Sequence, residues 1–301
     1  MRITSLLTLL ALAAFPSLAG AELSVPDTST WYFHADFDSM RSSDAGKHLY
    51  DWLQREVFDD VREEAGIDLD KEADSITAFS ATDAGTVVLI DGRISQDTQD
   101  KLLAIAAGSE ELHTHEHAGK TFYFAKNDGG DDIEIDSFDG GVYFSFALRN
   151  RLLATSTREQ MQTLLDNKGK LPKRNNTRGA LVVLTAEKGL IQAGMQADQV
   201  DDDGDEGWQS NILRNTDQVA LLIADLAGKI AIETRLVAKQ PEMAESLASI
   251  VRGLISLTMF SDDMEPQVAE LLQATNVEVD GSSLKIKVSM DPESLVSVLD
   301  D

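Results

Sequence analysis

The stretch QVALLIADLAGKIAIETRLV, residues 218–237, decides the fold more than any other part of this sequence. It consists of two largely apolar runs, and Ala227-Gly228 stands between them where a two-residue turn reverses the chain. Strands joined by such a turn are antiparallel. NVEVDGSSLKIKVSM (276–290) predicts a second hairpin with Asp280-Gly281 at its turn. The C-terminal part of the chain therefore predicts an antiparallel sheet.

Helical patterns alternate with these hairpins. Pro241 suits the first turn of a long apolar helix, Pro266 starts a short helix, and PESLVSVLDD predicts a final one. The long helix has a wide apolar stripe, formed by Met243, Leu247, Ile250, Val251, Leu254, Ile255, Met259 and Phe260. A stripe this wide predicts a core helix under the sheet. The alternative is a groove or dimer surface that binds apolar ligands or a partner's helix.

The N-terminal half has a similar order of elements. TWYFHADF (30–37) predicts a strand, and a helix follows with Ser42 or Ser43 as its N-cap and Gly66 as its stop. SITAFSA and GTVVLIDGRI predict a hairpin, and QDTQDKLLAIAA predicts a helix. Two hairpins follow, the second turning at Arg149-Asn150, before REQMQTLLDN predicts the last helix of this half.

Each half thus gives strand, helix, hairpin, helix, hairpin, helix, which predicts an internal duplication. The fold class is α+β, with two similar repeats whose antiparallel sheets carry helices packed on one face. The repeats are predicted at 22–167 and 179–301, joined by a basic linker at 168–178. The linker reads as a solvated connection or, alternatively, as a docking patch for an acidic partner. Whether the repeats share one sheet is left open.

Three segments resemble a known class of proteins. These are WYFHADFDSMRSS, RNRLLATSTREQMQTLL and VEVDGSSLKIKVSMDPESLVSVL. Together with the N-terminal leader they are similar to uncharacterised secreted or periplasmic bacterial proteins with paired α+β repeats, a domain of unknown function. The resemblance implies the fold and an exported location. It implies no activity and no catalytic residue.

The N-terminus predicts a secretory signal peptide over residues 1–21. Arg2 is followed by an apolar run from Leu6 to Phe15, and Ala19-Gly20-Ala21 supplies small residues at a cleavage site. We expect a mature protein that starts at Glu22, lies in the periplasm or outside the cell, and has no integral membrane span. The chain contains no cysteine, so its stability has to come from a hydrophobic core instead of disulfides.

The charge of the chain is strongly acidic. Fifty-two Asp and Glu residues face 26 Lys and Arg, which gives a net charge of −26 at pH 7. Nucleic acids and anionic membranes bind cationic surfaces, so nucleic acid is excluded as a partner. The first interpretation of these acidic residues is that they keep the protein soluble. The alternative is that they recognise a cationic partner or calcium.

ELHTHEHAGKTFYF (111–124) holds the strongest candidate metal site, formed by His113, His115 and His117. Alternate residues of a strand share a face, so two neighbouring imidazoles could bind one zinc or copper ion. A turn at Ala118-Gly119, or the loop from His117 to Lys120, would instead place His115 opposite Phe122 and His113 opposite Phe124. The histidines would then serve as packing side chains. A three-residue loop would leave them nearer to Thr121 and Tyr123.

Other motifs are weaker. Residues 127–136 and 201–207 combine carboxylates with glycines, but 201–207 lacks the glycine and the final Glu of an EF-hand loop. No G-x-S-x-G or phosphate-binding glycine motif is present in the sequence. His34, with Asp36 two residues further on, could be one half of an acid/base pair, although a structural role is the stronger interpretation.

These observations favour an exported, non-enzymatic envelope protein that binds an envelope protein or an apolar ligand and needs no cofactor. The runner-up is a metal-binding or metal-buffering protein that uses His113, His115 and His117. An exported hydrolase without a recognisable motif is third.

Overall fold

The chain folds into two compact units. We describe them from a computed structural model that covers residues 29–81, 85–126, 138, 140–171, 179–188, 216–259 and 266–300. The C-terminal unit contains Ser39–Leu49 and Thr177–Asp301, and the N-terminal unit contains Leu23–Asp38 and Tyr50–Asn176. The repeat boundaries predicted at 22–167 and 179–301 remain predictions.

Within each unit, every strand pairs antiparallel with its neighbours in the sheet. Their bounds are β1 Ser29–Asp36, β2 Ala73–Ala81, β3 Gly85–Gly92, β4 Glu111–His117, β5 Lys120–Lys126, β6 Val142–Ser145, β7 Arg151–Thr155, β8 Ala180–Glu187, β9 Thr216–Leu226, β10 Lys229–Ala238, β11 Asn276–Asp280 and β12 Ser283–Met290.

The helices connect and cover these strands. Their bounds are α1 Phe37–Ser42, α2 Asp44–Leu53, α3 Asp59–Ala65, α4 Leu69–Glu72, α5 Gln96–Ala107, α6 Arg158–Asp166, α7 Pro241–Thr258, α8 Pro266–Gln273 and α9 Pro292–Asp300. A π-helical turn, Gln54–Phe58, joins α2 to α3. Helices with the length and apolar character to cross a membrane are absent from the described part of the chain.

In the C-terminal unit the strand order is β11-β12-β10-β9-β8. The predicted hairpin is β9 and β10, and its turn lies at Ala227-Gly228, both with positive φ. α7 begins with Pro241 and packs on β10, β11 and β12. Its buried side chains form one core cluster with residues of these strands, namely Leu236, Ala238, Ala244, Leu247, Ala248, Val251, Val277, Leu284 and Ile286.

In the N-terminal unit the strand order is β1-β2-β3-β7-β6-β5-β4. α6 packs on one face, where Met161 and Leu165 meet Phe122 and Leu153. α5 packs on the other face, where Ala106 meets Phe144 and Ala125. The prediction that helices cover one face is therefore wrong for this unit.

The reason for this difference lies in the strands themselves. β3 and β7 are apolar at consecutive positions, as in Val87-Val88 and Leu152-Leu153, so both faces present apolar side chains that need cover. The alternation expected of a one-sided sheet occurs in β12, whose Leu284 and Ile286 are buried.

Several predicted helix and turn ends are confirmed. The Ser43 hydroxyl accepts a hydrogen bond from the Gly46 N–H at 3.0 Å, as an N-cap does. Gly66 ends α3 with a φ of 67°, and Asn150 has positive φ in the turn before β7. The turn between β11 and β12 is displaced by one residue. Asp280 pairs with Ser283, so Gly281-Ser282 forms the turn instead of Asp280-Gly281.

The two units share a strand pattern. The order β1-β2-β3-β7-β6 matches β8-β9-β10-β12-β11, since in both sets the second strand of the later hairpin pairs with the third strand. The N-terminal unit has the hairpin β4–β5 in addition, beside β6.

Candidate functional site

The three strand histidines lie on β4, the outermost strand of the N-terminal unit. β4 and β5 form a hairpin with a two-residue turn at Ala118-Gly119, whose φ angles are 48° and 71°. In this register His115 pairs with Phe122 and His113 with Phe124. The structure therefore selects the packing alternative for the hairpin.

The imidazoles of His113 and His115 stack on the phenylalanines opposite them. His115 and Phe122 have ring centroids 5.1 Å apart with 30° between the planes. His113 and Phe124 are 6.1 Å apart and nearly parallel, at 6°. Tyr143 on β6 extends the row, 4.7 Å from Phe124. Aromatic contacts across the β4–β5 hairpin thus orient two of the histidines.

His117 has a different partner. Its Nε2 lies 2.9 Å from the Asp166 Oδ1 at the end of α6, and the neighbouring Lys120 Nζ donates to the Leu165 carbonyl at 2.8 Å. These two contacts join the hairpin to α6. Over the described ranges, no group of three or more His, Asp and Glu side chains is arranged to hold a metal ion. A metal site at His113, His115 and His117 remains a prediction.

His34 lies half-buried in β1. Its Nδ1 is 2.9 Å from the Thr77 hydroxyl on the paired strand β2. Burial lowers the pKa of His34, and the carboxylates of Asp36 and Asp91 oppose that change. Asp91 is bound by the Arg151 guanidinium. The side-chain partner of His34 is thus a threonine hydroxyl within the sheet. This fits a structural role for His34 better than a role in acid/base catalysis.

The two acidic loops, 127–136 and 201–207, fall outside the described residues. The wide stripe predicted for α7 is described as far as Met259, and Phe260 lies outside the described residues.

α7 has a second apolar stripe beside its buried one. Ile250, Leu254 and Leu257 follow at spacings of four and three residues, so they share one side of the helix. Ile250 is 42% exposed and Leu257 is 70% exposed. On the other side of α7, Arg252 donates to the Val277 carbonyl of the edge strand β11 at 2.8 Å. Residues two apart on a helix point about 200° apart, so Ile250 is turned away from β11, toward β9 and β8.

The sheet beside α7 is also apolar, and Leu184 of β8 is exposed on it. Val219 and Leu236 pack against α7, which identifies the face of the sheet that the helix covers. Leu221, two residues further along β9, is on that face and pairs with Leu184 of β8. Leu184 is 41% exposed, whereas Val183 beside it points to the opposite face and is fully buried.

Together these side chains make up an apolar surface of the C-terminal unit, which we call the groove. It consists of the α7 stripe and the same face of β8 and β9 beside it. The groove is lined by Val182, Leu184, Leu221, Ile223, Ile250, Leu254 and Leu257. No charged side chain is among them, so the groove suits an apolar ligand.

Comparisons with known proteins give the fold and no function. No protein-family model matches the chain, and no curated protein matches it. Crystal form III of TP0453 is similar to this chain, with a TM-score of 0.50 and 10% sequence identity, over 92% of this chain and 99% of that one. Crystal form IV has a TM-score of 0.47 at 11% identity, covering 91% and 93%. At such identity the likeness shows a mixed α+β fold with antiparallel strands and several helices.

From the sequence, only the helical side of the groove could be predicted. The wide apolar stripe of α7 could be identified because helical periodicity is a pattern of nearby residues. The floor was not identified, although the continuous apolar run ALVVL at 180–184 was a signal that both faces of β8 are apolar. The pairing of Leu184 with Leu221 is a property of the sheet and could not be read from either strand alone.

Proposed function

We propose that this protein is an exported, non-enzymatic binding protein that holds an apolar ligand in the groove between α7 and strands β8 and β9. The observation that carries the proposal is the exposure of Leu184, Ile250 and Leu257. These three are half of the six large apolar side chains that are most exposed in the described residues. Contiguous exposed apolar surface of this kind marks binding sites in soluble proteins.

The chemistry of the groove supports binding more than catalysis. Its lining residues are all aliphatic, and none of them is titratable. Apolar ligands need shape and dry surface instead of a nucleophile or a general base.

Binding of a neutral hydrophobic dye, N-phenyl-1-naphthylamine, tests the proposal. The wild-type protein should bind the dye and increase its fluorescence. The double variant Leu184→Gln/Ile250→Gln should bind it at least about tenfold more weakly, because each side chain contributes about 1 kcal/mol of apolar contact.

The matched control is Ile105→Gln on α5 of the N-terminal unit. Ile105 is 57% exposed and lies outside the groove, so its replacement should leave dye binding unchanged. Wild-type protein that binds no dye, or an Ile105→Gln variant as impaired as the groove variant, would contradict the proposal.

We also infer an internal duplication, on the basis of the strand order shared by the two units. Five strands, two hairpins and a closing helix recur in each unit, and the hairpin β4–β5 with its three histidines is an addition to the first copy. Deletion of residues 111–126 with closure by a short Gly-Ser linker tests this inference. The variant should retain dye binding, because the groove lies wholly in the second copy, and loss of dye binding by a folded variant would contradict it.

A further inference from the structure

The outer edge of β4 is uncovered in the part of the chain that the structure describes. β4 is the last strand of the N-terminal unit, and five of its seven residues are exposed. It pairs with β5 over its whole length without a bulge, and it contains neither proline nor lysine. Strand edges without such protective features pair readily with another strand. By contrast, the edge strand β11 of the C-terminal unit is bound by α7, since Arg252 donates to the Val277 carbonyl.

The backbone groups on this edge come from alternate residues. The two-residue turn makes His117 and Lys120, which flank it, a hydrogen-bonded pair. Because antiparallel pairs alternate between hydrogen-bonded and non-hydrogen-bonded, the N–H and C=O groups of Leu112, Thr114 and Glu116 point away from β5. Over the described ranges, no helix, loop or side chain forms a hydrogen bond with these groups. A further strand would therefore pair through these three residues.

The sequence of β4 is suited to pairing with a second copy of itself. An antiparallel partner has to match Leu112, Thr114 and Glu116 with one another, because only these residues point outward. When Thr114 meets Thr114 of the second copy, all seven residues of β4 are paired. Leu112 then lies opposite Glu116, and Glu111 lies opposite His117, so a carboxylate faces an imidazole at both ends. Every other permitted register leaves at least two residues of each copy without a partner.

Two exposed apolar side chains stand beside this edge. They are Leu112 on β4 and Ile105 on α5, the helix that packs on β4 and β5. Leu103 of α5 belongs to the cluster formed with strands β5 to β7. Ile105 is about 200° further round the helix, so it is turned to the side of β4. A two-fold axis at Thr114 would place both copies of α5 on the same face of the joined sheet, where these apolar side chains would lose contact with water.

The same register brings histidines together on the opposite face. His113 of each copy would lie opposite His115 of the other, in pairs of the non-hydrogen-bonded kind, whose side chains are closest. Within the hairpin these imidazoles already stack on Phe122 and Phe124. The second copy would extend this row of aromatic rings across the dimer axis.

From this geometry we propose that two copies of the chain associate through β4, antiparallel about a two-fold axis at Thr114, and so join the sheets of two N-terminal units. The inference is independent of the apolar groove, which lies in the C-terminal unit. The interface belongs to the hairpin β4–β5, which has no counterpart in the C-terminal unit.

Sedimentation velocity of the full chain, at neutral pH with EDTA, tests for the dimer. We expect reversible dimerisation at about 100 μM protein, as for a small interface. Thr114→Pro removes the N–H at the centre of the edge but leaves the pairing with β5 intact, because that N–H points outward. It should raise the dimer Kd at least about tenfold. Thr114→Ala is the matched control, since it keeps the N–H and should dimerise as the wild type does.

Single cysteines test the register, since the chain has no cysteine of its own. Hydrogen-bonded residues of antiparallel strands have Cα atoms about 5.5 Å apart, a distance that a disulfide spans. Thr114→Cys should therefore form a covalent dimer when oxidised with diamide. Glu116→Cys is the matched control on the same face of β4. In the proposed register its two copies are about 14 Å apart, so it should remain uncrosslinked.

The possible results separate this interface from other modes of association. Wild-type protein that stays monomeric at about 100 μM would overturn the proposal. Dimerisation of Thr114→Pro as strong as that of the wild type would also overturn it, and so would equal crosslinking of Thr114→Cys and Glu116→Cys. A dimer that forms only when zinc is added would overturn it in favour of a metal bridge between the histidines.

Discussion

Replacement of His115 by Ala tests whether the histidine strand serves packing or metal binding. The His115 ring is 5.1 Å from Phe122 and 6.3 Å from Tyr143. An aromatic pair contributes about 0.5–1.5 kcal/mol beyond its buried area. Because His115 is only half-buried on an outer strand, we expect His115→Ala to lower the free energy of unfolding by about 1 kcal/mol. His113→Ala should cost about 0.5 kcal/mol, since His113 is more exposed and 6.1 Å from Phe124.

Urea denaturation at neutral pH measures these differences, with the free energy extrapolated linearly to water. Thr114→Ala is the matched control, because Thr114 is exposed on the opposite face of the same strand. It should change the free energy of unfolding by less than about 0.5 kcal/mol.

The same measurement with zinc distinguishes the two functions. An exposed chelate of two histidines should bind zinc no more tightly than tens of micromolar. Zinc at that concentration would then stabilise the wild type by only about 0.4 kcal/mol. A true metal site with zinc at a hundred times its Kd would add about 2.7 kcal/mol. A gain of that size, lost in both His113→Ala and His115→Ala, would refute the packing role and favour the metal-binding function.

Three further predictions follow from the sequence and the structure. The mature protein should begin at Glu22 in an envelope or extracellular fraction, and a soluble cytoplasmic protein with intact Met1 would contradict the signal peptide. Trypsin should cut the folded protein first within 168–178, which offers five basic residues, and earlier cuts elsewhere would contradict a linker. The pKa values of His34 and His115 are lowered, chiefly by burial, so the folded state binds fewer protons than the unfolded state. Stability should therefore fall as the pH drops below the ordinary histidine value of 6.5. A urea midpoint that stays constant there would contradict this.

Local features of the fold could be predicted because their energetics involve neighbouring residues. The turn at Ala227-Gly228 and the end of α3 at Gly66 depend on positive φ angles that glycine adopts without strain. Pro241 fixes the start of α7 in the same local way. The displacement of the β11–β12 turn to Gly281-Ser282 is a local error of one residue. It arose because Asp-Gly is a favourable turn pair in itself, while the pairing of Asn276 with Lys287 sets the actual register.

The candidate sites could be predicted only in part. Two registers were predicted for the histidine hairpin, and one of them correctly places His115 opposite Phe122 and His113 opposite Phe124. It did not give Asp166 as the partner of His117, since these residues are 49 positions apart and meet only through the packing of α6.

By itself, the sequence determined the antiparallel hairpins, the helices between them and the wide apolar stripe of α7, because periodicity, caps and turns are properties of a few consecutive residues. Only the tertiary structure decided which faces of the sheet are covered, that Leu184 meets Leu221, and that Asp166 is the partner of His117. Those contacts join residues that are far apart in the chain. They depend on strand order and register, which are fixed when the packed core forms.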